Sequence, residues 1–299
     1  MAVPIDKIAG VLKRGASAAH DADEPVRIAV YLDASATEFL VTTVRDALVP
    51  QTTGAMVRVD RVGAPIDVRH STDVAIVISC GSDRLQPFVQ ELVVAGAPVA
   101  VVAESSVEVP FIQADTPMLG LIASTSKAHL LEALARWILD RTDKRAAFAA
   151  NFPFMRISAA MRVVTDASLG NMATGALVFI PGADFPVMAM QQVGMLIELA
   201  SIYGKGLKVE RSYEIAGVLA AGLALRAGAR AAARRAGRMG FAVKALTAGF
   251  GTYAMGRALI ALYERDLDYG ALNRGVSKAA SRARDILSPN GGAASKEAL

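Results

Sequence analysis

The chain predicts an α/β fold followed by an all-α one: a doubly wound, mostly parallel sheet, then an Ala/Gly-rich helical region. Two observations carry this. Short Val/Ile-rich runs alternate with helical patterns as far as about residue 145, and beyond 150 alanine and glycine dominate long apolar runs. A third is the charge. Residues 1–150 hold 14 Lys/Arg against 18 Asp/Glu, net −4, and residues 151–299 hold 18 against 10, net +8. The halves are built for different surroundings.

In order, residues 27–32 (RIAVYL) read as a buried strand, and 36–48 as a helix with Phe39, Leu40, Val44 and Leu48 at helical spacing. Residues 55–59 are a second strand, 73–79 (DVAIVIS) a strongly β-branched third, and 84–94 a helix. Residues 98–102 and 118–123 give two more strands, and 127–139 a closing helix. Val and Ile without alternation mark strands covered on both faces. In the second half, 144–160 is a connecting helix interrupted around Asn151-Phe152-Pro153. An uncharged helical run at 167–181 meets a break at Pro181-Gly182-Ala183-Asp184-Phe185-Pro186, and 187–203 resumes. Gly204 closes that helix, Asp184 reads as the N-cap of the helix from Pro186, and 212–236, 240–263 and 277–287 are further helices. The organisation is an amphipathic or flexible segment 1–24, an α/β domain 25–145, a helical domain 150–285 and a disordered tail 286–299.

Hydrophobic residues make up 53% of the chain against 20% charged, and mean hydropathy is +0.38, greasier than soluble domains usually are. The lone Cys80 forms no internal disulfide, fits a reducing setting and reads as a buried strand residue. His20, His70 and His129 are far apart without ligand-spaced neighbours, so no metal is expected. Residues 2–19 have no uninterrupted apolar run, so no signal peptide is expected.

The sharpest feature is Arg226, Arg230, Arg234, Arg235 and Arg238, five arginines in thirteen residues. Four recur every fourth position and would form one drifting stripe on a helix. Between apolar helices, such a stripe suits the anionic face of a membrane, and its plain alternative is a solvated face or pairing with the acidic first half. Spanning needs about 20 apolar residues. The uncharged runs 167–183 and 185–197 are shorter, which leaves open a re-entrant hairpin at the Pro-Gly break or a soluble bundle.

The order of elements over some 120 residues resembles the G domain of Era-like GTPases. Residues 71–79 look like the strand after the switch regions, 95–104 like the strand ending in the base-specificity motif, and 120–134 like the last loop and helix. The motifs have degenerated, and the plain alternative is a flavodoxin-like or receiver-like module, since fold alone does not give function. After the first strand stands Asp33-Ala34-Ser35-Ala36-Thr37-Glu38, with no glycine or lysine to cradle phosphate and carboxylates of the repelling sign. Ala103-Glu104-Ser105-Ser106 replaces N-K-x-D, and Asp60-Arg61-Val62-Gly63 alone echoes D-x-x-G.

Residues 179–204, with Pro181, Gly182, Asp184, Pro186, the Gln191/Gln192 pair, Met195, Tyr203 and Gly204, resemble the helical domain of unknown function that follows some bacterial Era-like G domains. That domain also ends YcjF-type inner-membrane proteins. The resemblance implies membrane association rather than an activity. The expected function is a non-catalytic membrane-associated adaptor or scaffold with a nucleotide-free pseudo-GTPase domain, lying at the cytosolic face of the cytoplasmic membrane. No enzyme activity, cofactor, catalytic residue or nucleic acid is expected. Partners would be the inner-leaflet surface and a GTPase or a second copy. The alternatives are an unconventional nucleotide-dependent switch and a soluble regulator.

Overall fold

A computed structural model describes residues 20–66, 72–177, 184–205 and 240–265, with the short stretches 217–218, 220–222, 224 and 228. Five strands form one all-parallel sheet in the order β2-β1-β3-β4-β5. They are β1 (Val26–Leu32), β2 (Ala55–Arg61), β3 (Val74–Ile78), β4 (Val99–Ala103) and β5 (Leu119–Ala123). Each lies within two residues of its predicted bounds. The two strands at the centre of the Val/Ile pattern, β3 and β4, are buried at every position, as strands sandwiched between helices must be.

Helix α1 (Glu38–Ala47) follows β1, α2 (Leu85–Val94) follows β3, and α3 (Lys127–Arg141) follows β5. Alternate residues divide the sheet's two faces. Val26, Ile28, Val30, Val74, Ile76 and Ile78 pack with Leu40 and Val44 of α1 and Leu130, Leu134 and Ile138 of α3. Ala29, Tyr31, Ala75, Val77, Val99 and Val101 pack with Leu85, Phe88, Val89 and Leu92 of α2. Each fully buried aliphatic side chain contributes about 1.5–3 kcal/mol.

The helical region comprises α4 (Arg145–Asn151), α5 (Arg156–Leu177), α6 (Asp184–Ile202) and α7 (Gly240–Glu264). Pro153 interrupts between α4 and α5 as expected, with a single 3-10 turn, Pro153–Met155. The separate helix expected at 167–181 is instead the continuation of α5. Nothing from Arg156 to Leu169 breaks a helix, and Gly170 and Gly175 are held inside it by close contacts with Gln191 and Ala245. Helix α6 begins at Asp184, two residues ahead of expectation, so Asp184 belongs to its first turn rather than standing before Pro186 as a cap. Gly204 does terminate α6. Its φ is +64°, its N–H donates to Ser201 O at 2.9 Å, and Lys205 N donates to Ala200 O at 2.9 Å, the Schellman pattern.

Helices α5, α6 and α7 pack around one another, with α5 and α7 running antiparallel: Val164 lies against Gly256, Met172 against Gly249, and Gly175 against Ala245. The buried cluster under α1 and α3 continues without a break into this bundle, through Phe148, Phe152, Met155, Leu199 and Tyr263. Among the described residues no helix is long and apolar enough to cross a membrane.

Candidate functional site

Parallel sheets present ligands at the carboxyl ends of their strands, where neighbouring connections depart in opposite directions. Here that point lies between β1 and β3, and Asp33 and Ser79 stand just past the two strands. Asp33 Oδ2 accepts from Ser35 Oγ at 2.7 Å and from Ser79 Oγ at 2.6 Å, and Oδ1 accepts from Ala34 N at 2.8 Å. Partial burial alone would raise this carboxyl's pKa. The Ser79, Ser35 and Ser82 hydroxyls and the Ala34 N–H outweigh it and hold Asp33 below the usual carboxylate value. The loops then interlock: Cys80 N donates to Ser35 Oγ at 3.0 Å, and Gly81 N to Ser79 Oγ at 3.1 Å. Gly81 has a φ of +90°, and a Cβ there would lie 2.6 Å from the Glu108 carbonyl oxygen, so only glycine fits against the next loop.

A second carboxylate stands at the amino end of α1. Thr37 caps that helix, accepting from Leu40 N at 3.4 Å, and its hydroxyl donates to Glu104 Oε1 at 2.5 Å. Glu104 N and Ser105 N both donate to Glu108 Oε2 at 3.2 Å. The backbone donors at this corner, at Ala34, Cys80, Gly81, Glu104 and Ser105, are thus spent on the chain's own oxygens. A cleft of about 740 Å³ opens beside it, lined among others by Asp33, Arg61, Ser82, Asp83 and Arg84. Asp60, the D-x-x-G echo, is bonded to Arg58 on its own strand, and Gly63 sits in a turn with φ +92°. Cys80 is not in a strand: it lies half-buried in the loop past β3, and desolvation pushes its thiol up, away from the reactive thiolate. Among the described residues no cluster of three or more His, Cys, Asp or Glu has the geometry of a metal site.

Arg226, Arg230, Arg234, Arg235 and Arg238 lie outside the described residues, as do Pro181 and Gly182. Asp184 and Pro186 fall in the first turn of α6. Gln192 is 4% exposed, in the middle of the bundle. There Asn171 Nδ2 and Gln192 Nε2 donate to one acceptor, Thr252 Oγ1, at 2.8 and 3.3 Å, so α5, α6 and α7 meet at a single hydroxyl. Tyr203 donates to Glu264 Oε1 at 2.7 Å and packs on Tyr263 with ring centroids 5.5 Å apart, fastening the end of α6 to the end of α7. Burial, with Glu264 beside it, raises the Tyr203 phenol. Gln192, Tyr203 and Gly204 are therefore packing and locking residues. Sequence reasoning missed Ser35, Ser79, Thr37 and Thr252. The signal was a hydroxyl at or just past strand ends and inside an apolar helix, where a polar group needs a partner.

Comparison of the chain with family models, curated proteins and solved structures finds no match.

Proposed function

We propose that the protein is a non-catalytic, membrane-associated adaptor whose N-terminal half is a nucleotide-free, degenerate G-like domain. The strand order β2-β1-β3-β4-β5 is one that doubly wound sheets use, flavodoxin-like ones included, and it is compatible with that reading of the α/β half. The single observation that carries the proposal is the corner at the start of α1. Where a phosphate loop offers free N–H groups and a lysine, this chain sets ionised Asp33 and the Glu104 carboxylate, with the nearby N–H groups already donated. An incoming triphosphate meets two carboxylates of its own sign at this corner, and the N–H groups of Ala34, Cys80 and Gly81 are already donated. Calorimetry with GTP, ATP and Mg²⁺ is expected to give no heat at millimolar ligand. Saturable heat overturns the nucleotide-free reading.

The membrane half of the proposal rests on the arginine stripe and the excess of +8 in residues 151–299. Each arginine near an anionic leaflet contributes about 1 kcal/mol, so five suffice for peripheral attachment at the cytosolic face. Replacing Arg226, Arg230, Arg234 and Arg235 with Glu is expected to release the protein to the soluble fraction at physiological salt. Retention in the pellet until detergent is added would refute attachment by charge. One observation favours a second reading, a ligand-responsive switch: Arg61 and Arg84 flank the cleft beside Asp33. The same calorimetry decides it.

A further inference from the structure

Among the described residues, helix α7 is packed on one side and bare elsewhere. Ala245, Gly249, Thr252, Gly256, Leu259, Ile260 and Tyr263 face the bundle and are buried. Leu246, Phe250 and Tyr253, spaced by four and three, fall on a stripe about a quarter-turn round from that face and are 49%, 66% and 39% exposed. Arg257, one turn further on, continues that stripe and is exposed. A two-thirds exposed phenylalanine in line with an exposed leucine and tyrosine is a patch rather than scattered surface grease.

The charges say what such a stripe fits. From residue 240 to 263 the helix carries Lys244 and Arg257 and no acidic residue. Lys244 lies on the far side of the helix from the apolar stripe, so Arg257 is the charge beside it. Its Nη1 rests 3.2 Å from Met161 Sδ. The one carboxylate of α7, Glu264, stands two turns beyond at the helix end and accepts from Tyr203 Oη at 2.7 Å. A second copy laid along Leu246–Tyr253 would bury two Arg257 side chains with no acidic residue between 240 and 263 of either helix to receive them, since Glu264, two turns further along the same line, is already held by Tyr203; that burial is costly. The phosphates of an anionic leaflet receive the same guanidinium at the surface while its stem lies on apolar atoms. Helix α7 is not long and apolar enough to cross a membrane, and an apolar face beside a cation, with aromatic rings at headgroup depth, is the pattern of a helix lying in the interface. The groove between α3 and α5, lined by Phe154, Ile157, Met161, Glu132, Arg136 and Arg162, is more mixed in charge and has no such preference.

We propose that the Leu246–Phe250–Tyr253 stripe of α7, with Arg257, is the surface that docks the helical region onto an anionic lipid headgroup layer. This rests on the membrane reading above and adds the face that makes contact. The test uses the full chain and vesicles of phosphatidylglycerol with phosphatidylcholine, against phosphatidylcholine alone. The wild-type protein is expected to float with the anionic vesicles. Leu246→Ser with Phe250→Ser is expected to lower the bound fraction at least about tenfold with an unchanged thermal melt, since both residues are exposed. In a separate variant, Phe250→Trp, emission is expected to shift to the blue when anionic vesicles are added, over the constant signal of buried Trp137.

A double variant that floats like wild type, or a Phe250→Trp emission indifferent to vesicles, overturns the assignment of this face while leaving the membrane reading standing. Wild-type protein that stays at the bottom of the gradient removes both. A double variant that floats normally but sediments as a smaller species hands the stripe to a second copy and also overturns the assignment.

Discussion

At Asp33, two serine hydroxyls and a backbone N–H converge on one half-buried carboxylate, and the serines belong to loops 44 residues apart. The charge therefore joins two strand ends, and its loss should loosen both. Asp33→Asn keeps the shape but sets an NH₂ among hydroxyls that donate. The expected cost is about 1–2 kcal/mol near neutral pH, the lower part of the range for charge-assisted bonds because solvent screens a partly exposed group. The sign with pH follows from the lowered pKa. The carboxylate's contribution is complete above the ordinary value of 3.8 and fades as pH falls through the lower folded value. Thermal melts should thus separate wild type from Asp33→Asn at neutral pH and converge in acid. A gap independent of pH would mean that Asp33 acts by shape alone. That the loop after the first strand carries carboxylates and no lysine was legible, because Asp33 and Glu38 are local facts of the chain. Which hydroxyls quench Asp33 was not, because Ser79 reaches it only once β3 lies beside β1.

Helices α5 and α7 are brought together by glycine, and the contact is specific enough to reverse the sign of one substitution. At Gly256 an added Cβ would stand 2.4 Å from Val164 Cγ2 and 2.7 Å from its Cγ1, so the helices must part. At Gly194 in α6 an added Cβ meets nothing within 4 Å. Gly256→Ala should destabilise by about 1–3 kcal/mol through overpacking. Gly194→Ala should stabilise by about 0.5–1 kcal/mol through helix propensity. Urea denaturation of the two variants against wild type reads both, and a loss at both positions would mean that the glycines serve some purpose other than spacing. The sequence made the strands legible to within a residue or two, since Val and Ile runs buried on both faces admit few alternatives. It split α5 between 160 and 167, where Met161–Asp166 (MRVVTD) sets charged and β-branched residues between two small-residue runs but holds nothing that breaks a helix. What carries the helix on through Gly170 and Gly175 is packing on Gln191 and α7, which the local sequence does not display.

The whole chain joins an acidic half to a basic one, and the sequence alone divides them at about residue 150. The packing does not stop there. Asn151 accepts from Gln51 N at 3.0 Å and from Thr52 Oγ1 at 2.6 Å, so the end of α4 is tied to the turn before β2. Lys144 Nζ bridges the Asp73 carboxylate and the Pro25 carbonyl, each at 2.9 Å, and Arg162 of α5 pairs with Asp140 of α3 at 2.5 Å. Beneath these contacts the apolar cluster runs from Val26 in β1 to Tyr263 in α7. Two halves that share a core lose each other's buried area when either opens, so the bundle and the sheet should melt together. The single tryptophan makes this measurable. Trp137 is 4% exposed on α3, beneath Arg141, whose guanidinium carbon lies 4.2 Å from its ring centroid. Its fluorescence reports the sheet side, whereas far-UV circular dichroism is dominated by the helices of the bundle. In urea the two signals should trace one transition with one midpoint. Two midpoints would mean that the junction at Asn151 and Lys144 is a contact between independent domains, and the protein would then be a hinged pair rather than one body.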